Sequence, residues 1–164
     1  MRLELLAPGP ARHALLPILR LADDLADGYV DDGDLWVYGD DTADGVVLTV
    51  PYGADGRWPD DLFPARSVEL RNVAVRDDRQ GHGVGRTMVD AVVGALVEQG
   101  RWDRAVVGTG TADPTTYVFY QRCGFRPHHV LRDVFTREHG YDPERLREDN
   151  GLVHLDMLWF DRPL

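Results

Sequence analysis

Polar and apolar residues alternate through Arg2-Leu3-Glu4-Leu5-Leu6, the two-residue period of a half-buried strand, and Pro8-Gly9-Pro10 ends it. From Ala11 to about Leu25 the period lengthens, with Leu15, Ile18, Leu19, Ala22 and Leu25 at helical spacing. Pro17 interrupts, so the segment reads as one kinked helix or two short ones. Leu35 to Tyr38 and Val46 to Val50 are strand-like around the turn-rich Gly39 to Gly45, a hairpin, and Pro51 to Pro64 is a loop. Ser67 to Val75 is a long strand. A polar turn and a glycine-rich stretch lead from it into a helix that places Val84, Met88, Ala91, Val92, Ala95 and Leu96 on one face and stops at Gly100. Arg104 to Gly108 follows as a short strand, expected parallel to the one before the helix. Asp113-Pro114 opens a second helix over Thr115 to Arg122, with Asp113 as its N-cap. Arg126 to Val134 and Leu152 to Trp159 complete the strands, joined by a long polar connection. The order predicts one α/β (α+β) domain over residues 1–164, a mixed sheet of about six to seven strands flanked by about four helices.

Composition narrows the functions. Across 164 residues, 18 cations stand against 28 acids, a net charge of −10, which argues against partners that are nucleic acids or acidic membranes. No apolar run is long enough to span a bilayer, and Met1-Arg2-Leu3-Glu4 has no signal-peptide core, so a cytoplasmic location is expected. The single cysteine, Cys123, fits a reducing compartment and reads as a small buried hydrophobe. Every cation is an arginine. Residues 23 to 61 carry many aspartates against one cation, Arg57, whereas Arg71, Arg76, Arg79 and Arg86 surround the glycine stretch; one region suits a cation and the other phosphates. His128-His129 with His154 resembles a metal set only superficially, because neighbours in a strand face opposite ways, and no metal is predicted.

The chemistry concentrates between Glu69 and Val97. A strand, then Gln80-Gly81-His82-Gly83-Val84-Gly85-Arg86, then a helix, presents backbone N–H groups of a first helical turn to an anion. Arg86 falls in that turn, where a cation is disfavoured unless an anion lies beside it. A dinucleotide fingerprint beginning at Gly81 would need glycine where Arg86 stands, and a P-loop would need G-K-[ST], so both are excluded.

Two motifs together resemble the GNAT superfamily of CoA-dependent N-acetyltransferases. Gln80-Gly81-His82-Gly83-Val84-Gly85 is similar to its Q/R-x-x-G-x-G/A loop, and Phe119-Tyr120-Gln121-Arg122-Cys123-Gly124-Phe125 to its F-Y-x-x-x-G-F signature. The resemblance implies acetyl-CoA as co-substrate, with its pyrophosphate on the N–H groups from Gly81 to Arg86. It implies also that the thioester arm pairs with the strand edge at Val73, Ala74 and Val75. Tyr120 would supply the proton or hydrogen bond to the leaving sulfur. Glu69, eleven residues before Gln80 as in histone-acetylating members, would be the base, in a surrounding of strand residues that desolvate it. Asp113 stands where the family often has an asparagine on the cofactor arm; as a carboxylate before proline it suits a helix cap instead, and Thr116 replaces a usual alanine. The expected reaction is direct acetyl transfer to a primary amine on a small cationic molecule drawn by the aspartates. Two other readings stay open, a protein lysine or N-terminal acetyltransferase and a non-catalytic acyl-CoA-binding domain. The polar stretch 135 to 151 is a candidate cover for the acceptor or contact in a homodimer.

Overall fold

The computed structural model describes residues 1–138, 142, 147 and 150–164, so much of the polar connection from 135 to 151, including Gly140 and Pro143, lies outside the described residues, as does His139. The described chain has seven strands and four α-helices, the α/β (α+β) content that the periodicity predicts. It forms two compact units, Met1–Ala105 with Leu164, and Val106–Pro163.

In the first unit, β1 (Arg2–Leu6), β2 (Asp34–Gly39), β3 (Ala43–Pro51) and β4 (Ser67–Val75) pair in sequence order, each antiparallel to the next. One face of β3 and β4 is closed by Leu19, Ala26, Tyr29 and Val30, which pack with Leu35, Val46, Leu48 and Ala74. The segment after β1 is two short helices, α1 (Pro10–His13) and α2 (Leu16–Leu19). Pro17 sits in the first turn of α2, where its missing N–H costs nothing, so it starts a helix and does not kink one. Helix α2 ends at Leu19, short of the expected Leu25, and Leu21 and Leu25 are exposed. A 3₁₀ turn at Ala26–Gly28 then carries Tyr29 and Val30 inward.

Helix α3 (Val84–Gln99) buries Val84, Met88, Val89, Val92, Val93 and Leu96, and Gly100 ends it in the left-handed region. The glycine at 45 on β3 lets this helix come close: a Cβ there would lie 2.8 Å from both Met88 Sδ and the Ala74 carbonyl oxygen. Strand β5 (Arg104–Gly110) crosses from the end of the first unit into the second.

The second unit holds β6 (Arg126–Leu131) and β7 (Met157–Pro163), which pair antiparallel, with β7 next to β5. Helix α4 (Pro114–Arg122) precedes β6. Strand β6 stops at Leu131, three residues before the expected Val134, because Asp133 takes φ 59 and a π-helical turn follows at Val134–Glu138. Strand β7 begins at Met157, not Leu152. The preceding residues bond elsewhere: Thr111 N–H donates to the Asp156 carbonyl, and Ala112 N–H to Nδ1 of His154.

Candidate functional site

Gly81 and Gly83 have φ 74 and 79, the left-handed region that other residues enter only at a cost, and nothing lies within 4 Å of where either Cβ would be. Gly83 is the N-cap of α3 and offers no side chain to it, and among the described residues no other side chain caps this end. Among the described residues the first-turn N–H groups of Val84, Gly85 and Arg86 therefore have no side-chain cap, at the positive end of a sixteen-residue helix. That is a fit for a diphosphate. The flanking side chains build the turn: Gln80 Nε2 donates to the Val75 carbonyl at 2.9 Å and to Asp77, and the His82 ring pairs with the Gln80 carbonyl at 2.7 Å. Gln80 and His82 thus hold the loop's shape.

The side of β4 that faces away from β3 follows from one hydrogen bond. Arg76 N–H donates to Asp44 of β3 at 2.9 Å. Backbone groups alternate along a strand, so Ala74 also points its N–H and C=O toward β3, while Val73 and Val75 point theirs away. The Ala74 side chain is core. Of the three expected arm-contacting residues, 73 and 75 have backbone directed away from β3, and the Val75 carbonyl already accepts from Gln80.

Between Leu70 and Asn72 the pairing slips: Leu48 faces Asn72 and Thr49 faces Leu70, which leaves Arg71 without a partner on β3. This is a β-bulge, and it turns Arg71 onto Glu69. Arg71 Nη2 donates to Glu69 Oε2 at 2.8 Å, its Nε lies 3.5 Å from Oε1, and Nη1 donates to Asp55 at 2.8 Å. Glu69 and the Arg71 side chain are buried. Burial works to lower the Arg71 pKa, but Glu69 and Asp55 outweigh it and hold the guanidinium above its ordinary value. For Asp55, burial acts upward and is overcome by the Arg57 N–H and the Arg71 charge, which keep it below the usual range. Tyr52, pushed up by burial and by Glu69, Asp60 and Asp61, donates to the Pro59 carbonyl at 2.9 Å and packs edge-on against Phe63. The burial expected around Glu69 is present, together with a cation that its spacing did not announce.

That cation changes the expected division of charge. Arg71 joins Glu69 and Asp55, Arg76 joins Asp78 and Asp44, and Arg79 joins Asp44 at 3.1 Å. Three of the four arginines assigned to the phosphate region are thus neutralised by acids, some of them from the acidic stretch, because residues far apart in sequence meet across the β3–β4 pair. What the loop can offer an anion is its backbone and Arg86, whose one acidic partner among the described residues is Asp90 at 3.8 Å. Several aspartates are likewise taken: Asp27 by Arg20 and Asp31 by His13.

Two polar residues went unnoticed in the sequence. Asn72 is buried and donates from Nδ2 to the Leu19 carbonyl at 3.0 Å and to the Tyr29 hydroxyl at 3.1 Å; Tyr29 in turn donates to Asp23 at 2.7 Å. Arg12, also buried, ties α1 to the Leu6, Val30, Asp32 and Gly33 carbonyls. A helical polar position gives no hint of such a role.

In the second unit, Tyr120 is enclosed by Phe119, Phe125 and Phe160 at ring separations of 5.1, 6.0 and 5.8 Å. Burial raises its pKa far above the ordinary value, so it is a phenol at neutral pH, and among the described residues its hydroxyl makes no hydrogen bond. Asp113 is the cap its position suggests: Oδ1 accepts from Thr115 N–H at 2.8 Å and from the Thr115 hydroxyl at 2.6 Å. Thr116 bonds the Asp113 carbonyl and Thr109. Cys123 is buried. Among the described residues no three or more His, Cys, Asp or Glu are grouped to hold a metal ion, and no helix is long and apolar enough to cross a membrane.

Residues 31–127 match the family model described as acetyltransferase (GNAT) domain. The chain is 30% identical over 151 residues to YvbK, an uncharacterized N-acetyltransferase of Bacillus subtilis, covering 88% of this chain and 85% of that protein. It is similar to the structure of a Bacillus subtilis acetyltransferase in complex with CoA, at 27% identity and TM-score 0.79 over 99% of this chain and 98% of that one. In fold it is similar also to a GNAT family acetyltransferase from Elizabethkingia anophelis with acetyl-CoA bound, at 22% identity and TM-score 0.76 over 99% and 97%. A glycine loop before an uncapped helix, a tyrosine signature and a family match over more than half of its length place this chain among the GNAT acetyltransferases.

Proposed function

We propose that the protein transfers the acetyl group of acetyl-CoA to a primary amine on a small cationic molecule, by direct attack. The observation that carries this reading is the first turn of α3, uncapped among the described residues, behind Gly81 and Gly83, whose missing side chains leave open space, an arrangement that suits a diphosphate. The CoA complex of the Bacillus subtilis acetyltransferase supports CoA as the bearer of that diphosphate. N–H groups of Val73 and Val75 align the arm as an added strand would.

In the reaction a neutral amine nitrogen attacks the thioester carbonyl, a C–N bond forms and the C–S bond breaks. Glu69 receives the amine proton directly or through water, using Oε1, the oxygen with the longer contact to Arg71. Tyr120 donates a hydrogen bond to the departing sulfur. Burial holds its proton firmly, so it stabilises developing charge without becoming a tyrosinate, and the thiolate takes its proton from solvent. Asp60 and Asp61, whose charges act on Tyr52 near Glu69, favour a cationic acceptor. Asp113 has no part in this scheme beyond its cap.

A transfer screen tests the reading: thiol release from acetyl-CoA is followed against a panel of small amines and lysine peptides. At least one small amine is expected to give acetylated product in step with thiol, ahead of every peptide. Acetyl-CoA binding without transfer to any amine would sink it.

A further inference from the structure

Asn72 carries an oxygen that the fold buries and leaves without a donor. The residue is 3% exposed, and among the described residues Oδ1 has no hydrogen-bond partner. Its assignment is unambiguous, since turning the amide over would set that oxygen against the Leu19 carbonyl that Nδ2 now meets at 3.0 Å. The Tyr29 hydroxyl, accepting from Nδ2 and donating to Asp23, locks the amide from behind, and Asp23 is itself fixed by the Leu25 N–H at 2.9 Å. Buried amide oxygens in folded proteins nearly always have a donor, so an atom held this rigidly without one points to a donor supplied by another molecule.

The surroundings say which donor. Asn72 faces Leu48 and Glu69 faces Val50; those partners are two apart on β3, so Asn72 and Glu69 share a face of β4 with the Arg71 bulge between them. Val73, the next residue, directs its backbone to the edge where the arm is proposed to lie. Around this polar face Asp23, Asp55 and Glu69, with Asp60 and Asp61 acting on nearby Tyr52, outnumber Arg57 and Arg71, a surplus of negative charge that suits a cation and repels a carboxylate. We infer that Asn72 is an acceptor-binding residue: its Oδ1 receives an N–H of a primary alkylamine, whose positive charge on arrival is met by Glu69. This rests on the N-acetyltransferase reading above and adds to it the group that recognises the amine.

Steady-state kinetics with n-butylamine as acceptor test it. Asn72→Ala should raise KM for the amine about tenfold or more while KM for acetyl-CoA stays within about twofold. A merely structural loss would lower the folded fraction, and so kcat, without moving KM of the molecules that remain. Tyr29→Phe, which keeps the Leu19 anchor, should raise the amine KM about threefold and serves where the alanine variant does not fold. An amine KM unchanged in the folded variants overturns the inference. If the wild type does not acetylate n-butylamine, binding decides: about 10 mM n-butylammonium chloride should raise the wild-type Tm above that in equal sodium chloride and leave Tyr29→Phe with less of the gain. No gain in the wild type, or equal gains, would overturn the inference on its own, whereas failure of the whole amine panel would count against the enzyme reading.

Discussion

Gly83 can be made to report on whether the loop is an anion site or only a tight turn. Its φ of 79 means that any other residue there is strained, by about 1 kcal/mol for a left-handed non-glycine position, and no neighbour lies within 4 Å to add a clash. Gly83→Ala and Gly83→Glu should therefore be destabilised alike, with Tm lower by about 2–4 °C. They differ in charge. A carboxylate about 4 Å from each of roughly two diphosphate charges in solvent costs about 1 kcal/mol per pair, about 2 kcal/mol together, which weakens CoA binding about 30-fold. Calorimetric titration of CoA into the three proteins measures this, and repeating it at about 0.5 M salt should restore much of the glutamate variant's loss, since the screening length is then only a few ångströms. If Gly83→Glu binds CoA as tightly as Gly83→Ala at low salt, the diphosphate does not sit at this helix end.

Tyr120→Phe removes a hydroxyl that no hydrogen bond holds among the described residues, so turnover should fall about 10–100-fold with little change in Tm; unchanged kcat across pH would make the residue purely structural. Asp113→Ala should cost about 1 kcal/mol in urea melts through the lost cap, with KM for acetyl-CoA unmoved, and a tenfold rise in that KM would show instead that the carboxylate touches the cofactor arm. Arg71→Met leaves Glu69 buried without its cation, a loss of about 3–5 kcal/mol by chemical denaturation, and a cost below about 1 kcal/mol would mean that water reaches the carboxylate freely. Tyr29 and Tyr120 have folded pKa values raised, in both cases chiefly by burial, above the unfolded value of about 10. Their contribution is full below that pH and is lost as pH rises through the folded values, so the urea midpoint should hold to about pH 10 and fall beyond it; a flat profile to pH 12 would show that neither phenol is sealed.

The sequence was most legible where a local rule governs. Strand β4, the glycine loop and α3 follow from period and backbone chemistry, and Asp113 before Pro114 fixes the start of α4. It was least legible where charges meet across strands. Proximity in sequence groups Arg71 with the phosphate loop, yet the bulge turns it onto Glu69 and Asp55, and no periodicity announces one extra residue in a strand. Arg12 and Asn72 were invisible for a related reason: each is a polar residue whose partners lie far away along the chain, at Val30 to Gly33 and at Leu19 and Tyr29. Helix α2 ended early because Ala26, Tyr29 and Val30 fill the core that an extended helix would have covered with Ala22 and Leu25.

The close approach of α3 to β3 at Gly45 makes residues 45 and 88 a single lock. A methyl group at 45 would drive into Met88 Sδ and the Ala74 carbonyl, so the helix would have to back away from the sheet, carrying its N-terminal end at Gly83 with it. A change at 45 is thus an action at a distance on the proposed anion site, and shortening residue 88 can compensate only its side-chain half, since the clash with the Ala74 carbonyl remains. Anyone re-engineering this acetyltransferase for a bulkier or shorter acyl carrier has a lever here that lies outside every loop, on the side of the sheet where the helix seats.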